Sequence, residues 1–176
     1  MPIIAISGQH GSGKTTAAKM LAESLNYKYL SAGSIFREMA EKKGYTLEEF
    51  TALAEKDTSI DEYIDRKTVE IAKSEKDLIV DAQLAGWLLK DIADLSICIS
   101  ASFDKRIERI AKRENRTIEE VFKETKTREK SEKERYASLY SFDLSDLSIY
   151  DLIINTDRLE AQTVVKIILA AIKERD

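Results

Sequence analysis

Residues 8–15 read Gly-Gln-His-Gly-Ser-Gly-Lys-Thr, the spacing G-x-x-x-x-G-K-[ST] that makes a phosphate cradle out of backbone and two side chains. Gly8, Gly11 and Gly13 let a loop wrap closely and turn its N–H groups inward, so Gln9, His10 and Ser12 serve through their backbone. Lys14 can reach terminal phosphates, Thr15 can offer a hydroxyl to Mg²⁺, and Thr16 lies in the first turn of a helix whose positive end faces the anion. A glycine-rich strand–turn–helix without a ligand is the plain alternative. It is disfavoured by context, because the pattern follows the apolar run Ile3-Ile4-Ala5-Ile6 and opens a helix-prone stretch over 15–25. The pattern implies a nucleoside triphosphate, with the metal that accompanies it.

Other residues could complete a phosphoryl-transfer site. Asp81 ends an apolar run, where an acidic residue can hold Mg²⁺ through water; otherwise it is a turn former. Arg37 follows the turn Ser31-Ala32-Gly33, and its planar guanidinium suits a second phosphate. Arg106, Arg109 and Arg113 share one helix face by spacing, as do Arg128 and Arg135. By charge pattern alone, the glutamates interleaved around Arg128 and Arg135 favour a solvated, salt-bridged helix. His10 is the single histidine, and as part of the loop it is not assigned as a base.

The elements that must position these groups follow from periodicity. Five short apolar runs, 3–7, 28–30, 78–81, 95–100 and 152–155, predict strands; near-continuous rather than alternating, they suit a parallel sheet covered on both faces. Between them lie helical patterns. Thr46 with Glu49 and Thr117 with Glu120 have capping-box spacing, and over 161–172 Val164, Val165, Ile168, Leu169 and Ile172 fall on one face. Strand and helix alternate, so the fold is an α/β three-layer domain. Two stretches exceed a minimal sheet: 34–74, with two or three helices, and 118–139, one long charged helix. Beside a phosphate loop, such insertions are where substrate-covering segments sit.

Composition narrows the classes. The chain has 176 residues, enough for one domain with insertions, and charged residues make up 34% against about a quarter in typical proteins. A net charge of −4 argues against a general nucleic-acid binder. The lone Cys98 lies in the apolar run 95–100, which predicts a buried small hydrophobe in a reducing interior. The first strand begins at once, with no signal-peptide pattern, and no apolar run approaches the ~18 residues of a membrane span. A cytoplasmic protein is expected.

Taken together, the motifs resemble those of the nucleoside monophosphate kinases, and most closely the archaeal-type cytidylate kinases. The likeness rests on residues 6–16, on Ser31-Ala32-Gly33-Ser34-Ile35-Phe36-Arg37, and on Leu84-Ala85-Gly86-Trp87. It extends through 128–136, Asp146-Leu147-Ser148-Ile149-Tyr150-Asp151-Leu152 and Ile154-Asn155-Thr156. It implies a P-loop fold with a five-stranded parallel sheet and a single domain. The core would be 1–33, 75–112 and 140–176, with a monophosphate-binding helical insertion at about 34–74 and a helical lid at about 113–139. It further implies transfer of phosphate from ATP to CMP and dCMP with Mg²⁺. Lys14, Arg128 and Arg135 would be catalytic. Arg109, Arg113, Thr156 and Asp157 would join Gly8 through Thr16 around the donor, and Ser31, Arg37 and Gln83 would face the acceptor. Thr15 and, through water, Asp81 would hold the metal. The partners implied are small nucleotides, without nucleic acid or membrane, and a monomer.

Gln83 is a departure. It stands where these kinases are expected to carry an acceptor-phosphate arginine, and no arginine lies between Arg66 and Arg106 to replace it. A kinase of AMP or UMP is the sibling reading. A nucleotide-driven switch or assembly factor, with the charged helix as partner surface, is the reading from another class.

Overall fold

The computed structural model describes residues 2–174. Its centre is β1 (Ile3–Ser7), which pairs in parallel with β3 (Leu78–Asp81) on one side and β4 (Leu95–Ser100) on the other. β2 (Lys28–Ser31) and β5 (Leu152–Asn155) complete a five-stranded sheet of order β2-β3-β1-β4-β5. All four pairings are parallel, so each connection is a crossover, and the helices fall on the two faces. The strands coincide with the five apolar runs, β2 extending one residue further to Ser31.

Alternate residues of β1 feed opposite layers. Ile4 and Ile6 face a cluster with Leu21 of α1 (Lys14–Leu25) and Ile168 of α8 (Ala161–Lys173). Ala5 faces the other layer, with Val80, Ala72 of α4 (Thr58–Ser74) and Ala85 of α5 (Ala85–Leu88). Each fully buried isoleucine contributes roughly 1.5–3 kcal/mol, and this two-sided burial fixes the direction of the loop leaving β1. On α8, Val164, Val165 and Ile168 are buried, with Leu169 and Ile172 packed beside them, the face that the spacing predicts. Cys98 differs from expectation. It is partly rather than fully buried, because it alternates onto the sheet face opposite the well-covered Ile97 and Ile99.

The stretch between β2 and β3 forms α2 (Ala32–Lys42), α3 (Leu47–Ala54) and α4, with a hydrophobic cluster of its own around Phe50. Thr46 starts α3 with a true capping box: its Oγ1 accepts from Glu49 N at 3.2 Å, and the Glu49 carboxylate accepts from Thr46 N at 2.8 Å. After β4 come α6 (Phe103–Glu114) and the 22-residue α7 (Ile118–Leu139), whose Thr117 and Glu120 form a second capping box. α7 packs its Val121 against Ile107 and Ile110 of α6, then runs across the mouth of the site. No helix of the described residues is long and apolar enough to cross a membrane.

Candidate functional site

The loop between β1 and α1 takes its shape from two glycines. Gly13 caps α1 with φ +94°, a left-handed value that costs side-chain-bearing residues energy. Gly11 has φ +79°, and a Cβ there would lie 2.7 Å from the Arg106 carbonyl oxygen. Behind the loop, Arg109 acts as a brace. Its Nη1 donates to the carbonyls of Gly11 and Ser12, both at 3.3 Å, and its Nη2 donates to the Thr156 carbonyl at 2.7 Å. The buried Thr156 hydroxyl donates to the same Ser12 carbonyl at 2.7 Å. These bonds hold the Gly11 and Ser12 carbonyls to the Arg109 and Thr156 side chains.

Asp81, at the end of β3 and 3% exposed, receives three groups. Thr15 Oγ1 donates to Oδ2 at 2.7 Å, Tyr29 donates to the same oxygen at 2.8 Å, and Lys14 Nζ lies 3.7 Å from Oδ1. Oδ1 is buried without a hydrogen-bond partner. Burial and the Asp81 charge push the Tyr29 phenol up, so it remains a donor. A threonine hydroxyl beside an under-used carboxylate oxygen is a hard oxygen pair that fits Mg²⁺, an ion that keeps most of its waters and takes few protein ligands. Among the described residues, no three His, Cys, Asp or Glu side chains converge as a metal cage.

In front of the loop lies a cleft of about 590 Å³ lined by side chains from several elements. Lys14, Thr15 and His10 come from the loop, Asp81 and Gln83 from the end of β3, Ser31 and Arg37 from the β2–α2 junction, and Arg128 and Arg135 from α7. Arg37 is exposed, its Nη2 only 3.4 Å from Ser34 Oγ. Gln83 Oε1 is 3.4 Å from the Tyr136 hydroxyl of α7.

The remaining residues expected around the donor do not line this cleft: Gly8, Gln9, Gly11, Ser12, Gly13, Thr16, Arg109, Arg113, Thr156 and Asp157. Gly8 is set back against the sheet, where a Cβ would lie 2.3 Å from the Ile99 carbonyl oxygen of β4. Ser12 is fully buried, and Arg109 and Thr156 are turned to the back of the loop as described. Asp157 accepts from Ser102 N at 2.8 Å, and Arg113 pairs on the surface with Glu114.

α7 is held over the cleft from two sides. Arg135 Nε donates to Asp61 Oδ2 of α4 at 2.8 Å, and Tyr140 donates to Asp65 Oδ2 at 2.6 Å. Burial pushes the Asp65 carboxyl up to about 6. On the loop side, Glu132 Oε1 is 3.1 Å from His10 Nε2 and accepts from Arg128 Nε at 2.9 Å. Burial acts to raise the Glu132 carboxyl, but the His10 hydrogen bond and the His10 and Arg128 charges outweigh it and hold it down at about 2. An ionised carboxylate only accepts, so His10 Nε2 carries the proton in this contact. The buried Arg106 adds a third tie, donating from Nη1 to the His10 carbonyl at 3.2 Å and pairing with Glu129 of α7.

Sequence reasoning did not find Tyr29, Asp65, Glu132 or Tyr140. The i, i+4 spacing of Arg128 and Glu132 was the available signal, and it is indistinguishable from an exposed helical pair. The segments Leu84-Ala85-Gly86-Trp87 and 146–152 have a structural explanation. Gly86 N donates to Ser7 Oγ at 2.8 Å, a Cβ on Gly86 would meet Tyr150 Cε1 at 2.4 Å, and Trp87 stacks on Phe142 with centroids 5.0 Å apart. The two segments meet at Gly86 and Tyr150, beside Ser7 at the end of β1.

Comparison with known proteins places this geometry in a lineage. The cytidylate kinase-like family model matches residues 3–158. The chain is 48% identical to the cytidylate kinase of Sulfurisphaera tokodaii, over 96% of this chain and 93% of that protein. It is also 48% identical to the cytidylate kinase of Archaeoglobus fulgidus, over 97% and 94%. Among solved structures, an uncharacterized protein from Eubacterium ventriosum shares the fold with a TM-score of 0.74 at 23% identity, over 98% of this chain and 99% of that one.

Proposed function

This chain belongs to the cytidylate kinase-like family, and on that premise we propose that it transfers the terminal phosphoryl group of ATP to CMP, and to dCMP, giving ADP and the diphosphate. The observation that carries the reading is the cleft lined by Lys14 of the loop, Arg37 of α2, and Arg128 and Arg135 of α7. Two phosphate groups brought together for transfer need cationic groups on both and between them.

The roles proposed are these. ATP lies along Gly8 to Thr16, its terminal phosphates reached by Lys14, with Arg109, Arg113, Thr156 and Asp157 on the donor side. Arg37, Ser31 and Gln83 face the acceptor. Arg128 and Arg135 meet the transferring group as its charge spreads in a loose transition state. No carboxylate need remove a proton, since the attacking phosphate oxygen is already an anion. α7 across the mouth limits water, the competing acceptor. Mg²⁺ on Thr15 and, through water, on Asp81 would neutralise charge on the donor phosphates. The proposed units are the core, the insertion at about 34–74 and the lid at about 113–139, in a monomer acting in the cytoplasm, where these nucleotides are.

The test is ADP release from ATP with CMP, dCMP, UMP, AMP and GMP in turn. The expected result is that both cytidine nucleotides give the highest kcat/KM and that turnover needs Mg²⁺. A higher kcat/KM for AMP or UMP would overturn the acceptor assignment. Slow hydrolysis indifferent to any monophosphate would overturn the kinase reading in favour of a switch.

A further inference from the structure

Glu132 is 4% exposed on a helix most of whose residues are exposed, and its second oxygen, Oε2, is buried with no hydrogen-bond partner. Burying a charge there is unfavourable, and an apolar side chain of similar size would serve packing as well or better. The carboxylate has a different use, visible in what its other oxygen touches. Oε1 meets His10 of the phosphate loop and Arg128 of the lid helix together. Arg128 gives its Nε to that contact; among the described residues, no hydrogen bond engages its Nη1 or Nη2, and the side chain, 45% exposed, lines the cleft. Arginine recognises phosphate through a flat fork of N–H groups. Fixing Nε restrains the guanidinium without consuming that fork. Resting on the reading of Arg128 as a clamp on the transferring group, we propose that Glu132 is a positioning residue. It fastens the lid helix to the phosphate loop through His10 and sets the direction of the Arg128 guanidinium before the reaction begins. The aim of Arg128 is thereby tied to the position of the loop that holds the donor.

A double-mutant cycle with Glu132→Gln and Arg128→Ala tests this, with kcat and KM measured for each variant and melting temperature as a control for folding. Glu132→Gln keeps the shape of the side chain and removes its charge. Its kcat is expected to fall on the order of 10²-fold, the scale of a lost preorganised donor, with both KM values within about threefold. In the Arg128→Ala background the same change is expected to add little, since groups acting as one unit are not additive. Near-normal kcat in Glu132→Gln, or losses that simply multiply, would overturn the proposal. A second measurement does not depend on activity or on any variant folding. The ¹⁵N–¹H signal of Arg128 Nε in the unmutated protein is expected to exchange with water far more slowly than that of the exposed Arg158. Equal exchange would overturn the proposal. Absence of CMP turnover in the unmutated protein would strike the acceptor assignment instead, and the exchange measurement would still decide the role of Glu132.

Discussion

Lys14 and Gln83 occupy opposite ends of the proposed reaction path, and each makes a separate claim. Lys14 is restrained by Asp81 only at 3.7 Å, which leaves it able to turn to a phosphate. Lys14→Met is expected to leave a folded protein whose kcat falls more than its KM for CMP rises, because the charge acts where charge builds in the transition state. Steady-state kinetics check this, and near-normal turnover would remove the loop from the mechanism. Gln83 donates neutral hydrogen bonds at best. Gln83→Arg is expected to lower KM for CMP about tenfold, since a charged hydrogen bond is worth roughly 1.5–3 kcal/mol against ~1 for a neutral one. The gain should shrink at high salt and be absent for cytidine binding; an equal gain for cytidine would place position 83 away from the phosphate. At this scale part of the site's geometry was legible in spacing. Lys14, Thr15 and Asp81 meet as the loop spacing and the strand-end position imply. Glu132 was not legible, because nothing in a run of alternating charges says which glutamate turns inward.

Helix α7 carries two kinds of charge on one element, and the difference between them is testable. Arg135 is 14% exposed and pairs with Asp61 across the cleft, whereas Lys123 is 75% exposed and pairs with Glu119 one turn away. Arg128→Ala and Arg135→Ala are expected to lower the transfer rate about 10³-fold or more, the scale of an arginine clamp. Lys123→Ala and Lys126→Ala should leave it nearly unchanged. Exposed pairs are worth about 0–1 kcal/mol, so thermal melts of the lysine variants should barely move. Similar rate losses at all four positions would make α7 a solvated face. The existence of the helices and their starts were readable from Thr46, Glu49, Thr117 and Glu120, since a capping box is local chemistry. The path of α7 over the cleft was not, because it depends on contacts to α4 and the phosphate loop that are distant in the chain.

The molecule as a whole stores part of its stability in the contact between α4 and the end of α7. Asp65, held up to about 6 by burial, binds a proton more readily folded than unfolded. Its favourable contribution is therefore complete below the unfolded value of 3.8 and is lost as pH rises through 6. Asp65→Asn, which can still accept from Tyr140, is expected to gain stability relative to the natural chain between pH 4 and 7, by on the order of 1–3 kcal/mol. Denaturation midpoints at several pH values check this; a parallel offset at every pH would dismiss titration as the cause. Strand number and fold class were legible at this scale because five buried runs alternate with helices. The order β2-β3-β1-β4-β5 was not carried by any single segment. That order has a consequence for how the chain comes to be folded. Of the sheet's five strands, the one made first lies in its middle, and its partners begin at Leu78 and Leu95. Until those residues are made, Ile4 and Ile6 have no neighbours to pair with, and the nucleotide loop hangs from an unsupported end. Sequence-distant pairing is slow, so nucleotide binding should return in refolding experiments only with the main sheet-forming phase, last in function although first in synthesis.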